Sequence, residues 1–227
     1  TAIYGSRGAS GVILVTTKRG RTGKPEVNFR YETGSHNPIG TPKLLNGPQY
    51  NEIYTTYNEL RGQAKVFDSP HDTNWLDEVS RTAISREARM SVSAGNEVSN
   101  YFISGSYLSN PSYIINNDFE RYTGRVNLNY FGSDRIRFGT NFSISFTDNN
   151  ALNAQTIYRQ AILKAPNLSI KDDDGNYLYG MGTNPDGMDD VNPVAKAKTE
   201  INYLKDTRTT GNIYVEFLPL YWITIRS

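Results

Sequence analysis

From residue 27 onward, apolar and polar positions alternate along much of the chain. In VNFRYET, Val27, Phe29 and Tyr31 fall on one side of an extended backbone, and Asn28, Arg30 and Glu32 on the other. The same period of two returns in Met90, Val92 and Ala94 against Ser91 and Ser93, and in Tyr101, Ile103, Gly105 and Tyr107. It returns again in Tyr122, Val126, Leu128 and Tyr130 against Thr123, Arg125, Asn127 and Asn129. The longest run is RIRFGTNFSISF, where Ile136, Phe138, Phe142, Ile144 and Phe146 oppose Arg135, Arg137, Asn141, Ser143 and Ser145. Ile213, Val215 and Phe217, then Tyr221, Ile223 and Ile225, close the series. Successive strand side chains point to opposite faces, so each segment predicts a strand with one apolar and one polar face. The predicted strands are 27–34, 90–95, 101–108, 122–131, 135–146, 212–218 and 221–226.

The connections alternate as well. NEVSN at 96–100, GSD at 132–134 and the residues around LPL at 218–220 are tight turns, whereas 36–88, 109–121 and 147–211 are long. QTIYRQAILKA at 155–165 predicts a helix that ends before Pro166, and IYTTYNEL at 53–60 has only weak helical periodicity. Ahead of the first alternating strand, GVILVTT at 11–17 is a short apolar run rich in β-branched residues, predicted as a buried strand. The basic, glycine-containing KRGRTGK at 18–24 reads as a linker.

Strands of up to about 10 residues, long loops at one end and tight turns at the other fit a transmembrane β-barrel. The apolar face would then meet lipid, with Tyr and Phe near the interfaces, and Arg125, Asn127, Asn129, Arg137 and Asn141 would face the lumen. A soluble sandwich has the same alternation, and periodicity alone leaves both readings open. Loops longer than about 15 residues are uncommon in a sandwich. No apolar run approaches the roughly 20 residues of a membrane helix.

Composition removes other classes. There is no cysteine among the 227 residues, which excludes disulfides, thiolate metal sites and cysteine catalysis. With 24 basic and 23 acidic residues the formal charge is +1, which gives no support for a nucleic-acid surface. His36 and His71 lie far apart and neither sits beside a nucleophile with an orienting acid, so no catalytic constellation and no enzyme is expected. Gly5, Gly8 and Gly11 lack the spacing of a nucleotide loop. Asp172, Asp174 and Asn176 imitate calcium-loop spacing, but Tyr177 stands where an EF-hand needs glycine, so acidic turns are the simpler reading here and in DGMDD at 186–190. Loop aromatics able to stack on a ligand are Tyr50, Tyr54, Tyr57, Trp75, Tyr177 and Tyr179. No cofactor site is expected.

The first residues carry a resemblance. TAIYGSRGASGVILVTTKRG at 1–20 resembles the end of the plug domain in the SusC/RagA-like family of TonB-dependent outer-membrane transporters. TNWLDEV at 73–79, MSVSAGNEVSNYFISGSYL at 90–108 and DFERYTGRVNLNY at 118–130 are similar to that family's first barrel segments, and NPVAKAK at 192–198 to its recurrent Asn-Pro loop element. The chain departs from the family where Ala94-Gly95 replaces a Gly-Gly pair, where SREAR at 85–89 replaces a His-rich approach, and in NPSYII, which lacks a common glycine.

The resemblance implies an all-β fold: a partial antiparallel transmembrane β-barrel preceded by the C-terminal end of a plug domain. Residues 1–20 would be plug, 21–26 linker and 27–227 the first part of a 22-stranded barrel, and both chain ends are expected to be cuts. It further implies a bacterial outer-membrane importer of oligosaccharides or oligopeptides, driven through TonB and partnered by a SusD-like surface lipoprotein. A non-transporting barrel or surface adhesin is the alternative. Arg7 is a candidate plug-to-barrel anchor, and Tyr54, Trp75, Tyr177 and Tyr179 are candidate cargo contacts. Since the family's plug joins the first strand from the periplasm, residues 27–34 are expected to run outward, which places the long loops outside the cell.

Overall fold

The computed structural model describes residues 11–13, 18–62, 69–178 and 191–227. Seven strands form one sheet in strict sequence order. They are β1 (Gly23–His36), β2 (Ala83–Gly95), β3 (Ser99–Ser109), β4 (Phe119–Phe131), β5 (Ile136–Asn150), β6 (Tyr203–Leu220) and β7 (Ile223–Arg226). Every pairing is antiparallel between neighbours in the chain. All seven expected alternating strands are present, whereas most of the buried strand expected at 11–17 lies outside the described residues; the clearest hairpin is β4–β5, paired without interruption from Phe119–Asn149 to Phe131–Arg137.

Most strands reach further than the alternation indicates, β2 and β6 by the most. β1 begins at Gly23, inside the stretch read as linker; β2 begins at Ala83, not near residue 90; and β6 begins at Tyr203, not near 212. The cause is polarity. Arg86, Glu87 and Arg89 put charges on both faces of the start of β2, and Lys205, Asp206 and Arg208 do the same in β6. Strand geometry continues there by ladder hydrogen bonding, where no apolar face marks it.

The tight turns are made by side chains that satisfy the backbone. Asn96 Oδ1 accepts from the Val98 and Ser99 amides at 2.9 and 2.7 Å, and Ser133 Oγ accepts from Arg135 and Ile136 at 3.3 and 3.2 Å. Between β6 and β7 the register shifts between Phe217 and Leu220, where Pro219 has no amide to donate.

The main buried apolar cluster lies at the long-loop end, outside the sheet. Four helices stand there: α1 (Gly47–Leu60), α2 (Trp75–Val79), α3 (Ala154–Leu163) and α4 (Pro193–Thr199). Each starts on an asparagine whose side chain accepts a first-turn amide: Asn46, Asn74, Asn153 and Asn192. Asn46 and Gln49 complete a capping box, and Pro48 and Pro193 occupy positions whose amides a helix start leaves unused. Trp75, Leu76, Val79, Ile114, Leu152, Ile157, Ala161, Val194 and Ala197 pack into one buried cluster. It draws on all three long loops, so they form a single cap.

Candidate functional site

The register divides the sheet into two chemically distinct faces. One carries transverse rows such as Val27–Val92–Ile103–Val126–Phe142 and Phe29–Met90–Gly105–Gly124–Ile144. Its large side chains are exposed: Phe29 is 70% accessible and Ile213 82%. Aromatic residues border this band. Tyr31, Tyr107, Tyr122 and Phe146 share a row toward the loops, and Tyr101, Tyr130, Phe138 and Phe217 lie toward the tight turns. Tyr122 and Tyr130 are separated by roughly 27 Å of strand at about 3.4 Å per residue. At a barrel strand's tilt that approaches the ~25 Å apolar band with aromatic girdles of an outer-membrane barrel.

The other face is polar. Arg30, Ser91, Ser104, Arg125, Asn127, Asn129, Arg137 and Asn141 lie on it. The segment at 18–22 crosses this face at the tight-turn end. Asn127, 1% exposed, donates from Nδ2 to the Lys18 carbonyl. A Cβ on Gly20 would meet the Tyr101 backbone at 2.4 Å, and one on Gly95 would meet the Arg21 carbonyl at 3.0 Å. Only glycine at both positions lets the segment press against β2 and β3. The chain thus reaches β1 along the polar face, which defines that face as the inside.

The aromatic residues singled out in the sequence separate into different roles. Trp75 is 2% exposed in the cap core, and its indole Nε1 donates to the Ala165 carbonyl at 2.9 Å, so it builds the cap instead of offering a ring to solvent. Tyr177 packs partly buried against the same cluster, with Lys171 Nζ 4.9 Å from its ring centroid. Tyr54 lies on α1 between Tyr50, 5.6 Å away, and Tyr57, 6.2 Å away, in near-parallel stacks, and Arg61 closes the ladder 5.2 Å from the Tyr57 ring centroid. Arg7 and Tyr179 lie outside the described residues, as do most of the expected plug segment and the acidic turn at 186–190.

The Asp172 loop uses its oxygens internally. Asp172 Oδ1 accepts from the Asn176 amide at 2.7 Å, Asp172 Oδ2 from Asn176 Nδ2 at 3.3 Å, and Gly175 turns the chain at φ +84°. This is an Asx-type hairpin tip. Two polar residues that composition did not single out hold the architecture together. One is Asn127. The other is Asn192, whose Oδ1 caps α4 by accepting from Val194 and Ala195 at 3.1 Å each, while Nδ2 donates to the carbonyls of Ile170 and Leu178 at 2.8 and 3.2 Å. The Asn-Pro pair at the start of α4 was the visible signal for Asn192. The alternation placed Asn127 on the inner face but gave no sign of its bond, because its partner is a backbone carbonyl far away in sequence.

An antiparallel wall with a lipid-type outer face, a polar inner face and a segment entering along the inside defines part of a transmembrane β-barrel. No family model matches the sequence. The chain is 31% identical over 226 residues to the TonB-dependent receptor P3 of Formosa agariphila, and 26% identical over 237 residues to the TonB-dependent receptor SusC of Bacteroides thetaiotaomicron, each match covering 96% of the chain. It spans 22% and 23% of the length of these relatives. Its fold matches the RagAB peptide transporter with a TM-score of 0.72 at 18% identity, over 99% of the chain and 30% of that one. Sequence and fold together place the chain in the SusC/RagA-like family of TonB-dependent receptors.

Proposed function

We propose that this chain supplies the end of the plug and the first barrel strands of an energy-coupled importer in the bacterial outer membrane. The observation that carries this reading is the segment at 18–22, held on the polar inner face at the end opposite the loop cap. In it, residues 1–20 belong to a plug that fills the lumen, and Arg7 makes a charge-assisted contact with the wall. The cap formed by α1 to α4 faces the cell exterior. There it meets a SusD-like lipoprotein and an oligosaccharide or oligopeptide cargo, with the Tyr54 ladder, Tyr177 and Tyr179 offering ring faces. Cargo binding favours one arrangement of the plug, and TonB acts on that arrangement to open a passage. No bond of the cargo is broken.

Uptake by the full-length receptor in cells with and without TonB tests the mechanism, and equal uptake in both would overturn it. Orientation is tested separately in intact cells. An impermeant thiol reagent is expected to label a cysteine replacing Asp173 at the hairpin tip and to miss one replacing Ser133 in the β4–β5 turn. The reverse pattern would invert the topology.

A further inference from the structure

The polar inner face of β4 to β6 carries three arginines that the wall itself leaves largely unneutralised. Register sets Arg125 level with Ser143 and Thr210. The next row toward the cap holds Thr123, Ser145 and Arg208, and the row beyond it Arg121, Thr147 and Asp206. The arginines thus frame a field of hydroxyls made by Thr123, Ser143, Ser145 and Thr147. At ordinary strand geometry Arg121 and Arg125 are about 14 Å apart along β4, and Arg208 is about 10 Å across the sheet from Thr123. Arg121 lies six residues beyond Asn127, about 20 Å of strand toward the cap. The patch therefore occupies the stretch of inner wall between the entering segment and the loop cap.

Neighbouring β1 and β2 show how the same face looks when the chain neutralises itself. Arg30 and Arg89 are register partners, and each pairs with a carboxylate two residues along its own strand, Arg30 with Glu32 and Arg89 with Glu87 at 2.6 Å. On β4 to β6 the pairing is missing. Arg125 and Arg208 have no ion pair or hydrogen bond among the described residues, and Arg121 lies over the Phe119 ring, 5.8 Å from its centroid. Asp206 is the one carboxylate in these rows, set against three guanidiniums. The formal charge of +1 for the whole chain conceals this local excess.

The residue types specify what the patch can hold. A guanidinium engages a carboxylate or a sulfate through paired N–H donors. Each Ser or Thr hydroxyl both donates and accepts, as a sugar hydroxyl does. None of the residues in these rows of β4 to β6 is apolar, so the side chains of a peptide would find no pocket there. Separated cations with hydroxyls between them match a polyhydroxylated chain that carries acid groups at intervals.

We propose that Arg121, Arg125 and Arg208 select the cargo: an acidic oligosaccharide, whose carboxylate or sulfate groups lie on the arginines and whose hydroxyls meet the field between them. The inference names the cargo class of the import reading and rests on that reading. Selection is electrostatic and acts on the inner wall, apart from the aromatic residues of the cap.

The test measures binding to full-length receptor purified in detergent, by isothermal titration calorimetry. The probes are tetragalacturonate, its carboxyl-reduced neutral counterpart, a chondroitin sulfate tetrasaccharide and tetraglutamate. At least one acidic saccharide is expected to bind about tenfold or more tighter than both the neutral saccharide and tetraglutamate. Which of the two binds distinguishes carboxylate from sulfate. The R125Q/R208Q variant is expected to lose that preference, and R86Q, on the outer face, to keep it. The unfolding midpoint of the probe-free receptor is expected to be the same in R125Q/R208Q as in the parent. A lowered midpoint would assign these arginines to carboxylates of the plug and overturn the site. Binding of neither acidic saccharide, equal binding of the neutral saccharide or of tetraglutamate, or an unchanged preference in R125Q/R208Q would also overturn it. Binding in detergent does not depend on TonB, so failure here is distinguishable from failure of the importer reading, which uptake with and without TonB reports.

Discussion

The ring of Tyr214 lies over Gly139, its register partner on the neighbouring strand, so closely that a Cβ on Gly139 would stand 2.2 Å from Cζ of Tyr214. The missing side chain is the socket for the ring. From it the Tyr214 hydroxyl reaches Asn129 Oδ1 at 2.7 Å, Asn129 Nδ2 reaches Asn100 Oδ1 at 2.7 Å, and the Arg226 guanidinium sits 3.9 Å from the ring centroid. One glycine thus permits a polar chain across the inner face from β7 to β3. Gly139→Ala is expected to destabilise by about 1–3 kcal/mol, as overpacking does. Tyr214→Phe, which keeps the ring and loses the hydroxyl bond, is expected to cost about 1 kcal/mol. Urea unfolding midpoints of the full-length receptor in lipid bilayers check both, and a neutral Gly139→Ala would mean that the ring has another resting place.

Asn192 combines two roles that substitutions can separate. Asn192→Asp keeps an oxygen to cap α4 but removes the amide donors to Ile170 and Leu178, whereas Asn192→Ala removes both sets of bonds. The alanine variant is expected to lose about 1 kcal/mol for the cap and about 1 kcal/mol more for the lost amide donations, since the Ile170 carbonyl keeps the Leu178 amide as a donor. The aspartate variant should retain the cap portion. Limited proteolysis of the loop cap on intact receptor orders the three proteins, and cleavage of Asn192→Asp as fast as Asn192→Ala would refute the division.

Trp75 and Tyr54 should behave in opposite ways although both are loop aromatics. Trp75→Ala empties the middle of the cap core and is expected to cost about 3–5 kcal/mol in cap stability. Tyr54→Ala removes a half-buried ring from the α1 ladder, an effect expected to stay near 1 kcal/mol, while weakening cargo uptake if the ladder is the ring surface that cargo meets. Protease susceptibility and uptake measured on the same variants separate structural from binding loss.

The faces of the sheet should tolerate charge unequally. Phe142→Arg places a guanidinium in the middle of the apolar band and is expected to cost about 2–4 kcal/mol. Thr210→Arg, on the polar face opposite Ser143, is expected to stay within about 0.5 kcal/mol. Refolding into phosphatidylcholine bilayers followed by urea titration measures the difference, and equal penalties would mean the outer face is not solvated by lipid.

Much of this architecture was legible because the bilayer writes itself into the strands. Where a strand crosses the apolar band, one face must be apolar, and Val126, Leu128, Phe138, Phe142 and Ile144 announce it. Beyond the band both faces meet polar surroundings, so the outer parts of β2 and β6 carry Arg86, Glu87, Lys205 and Asp206 and look like loop. The cap was less legible for another reason. Its core residues, among them Trp75, Ile114, Ile157 and Val194, come from separate loops, and short α2 and α4 give no sustained period. Only their ends were marked, by Asn74 and by Asn192 with Pro193. The polar joint between Asn127 and the Lys18 carbonyl, like the Gly139–Tyr214 socket, depends on register between distant segments, which no local pattern encodes.

The shared core of the three loops sets where this protein can accept foreign sequence. A peptide tag placed between Asp173 and Asp174 would extend a hairpin tip that is already solvated, and the cap beneath would be undisturbed. The same tag beside Ile114 would part segments contributed by every long loop, since Ile114 is fully buried among α2, α3 and α4. Loops of independent build could be exchanged one at a time between receptors. These would have to be grafted together, so a change of outer surface in this barrel is a change of one inseparable module.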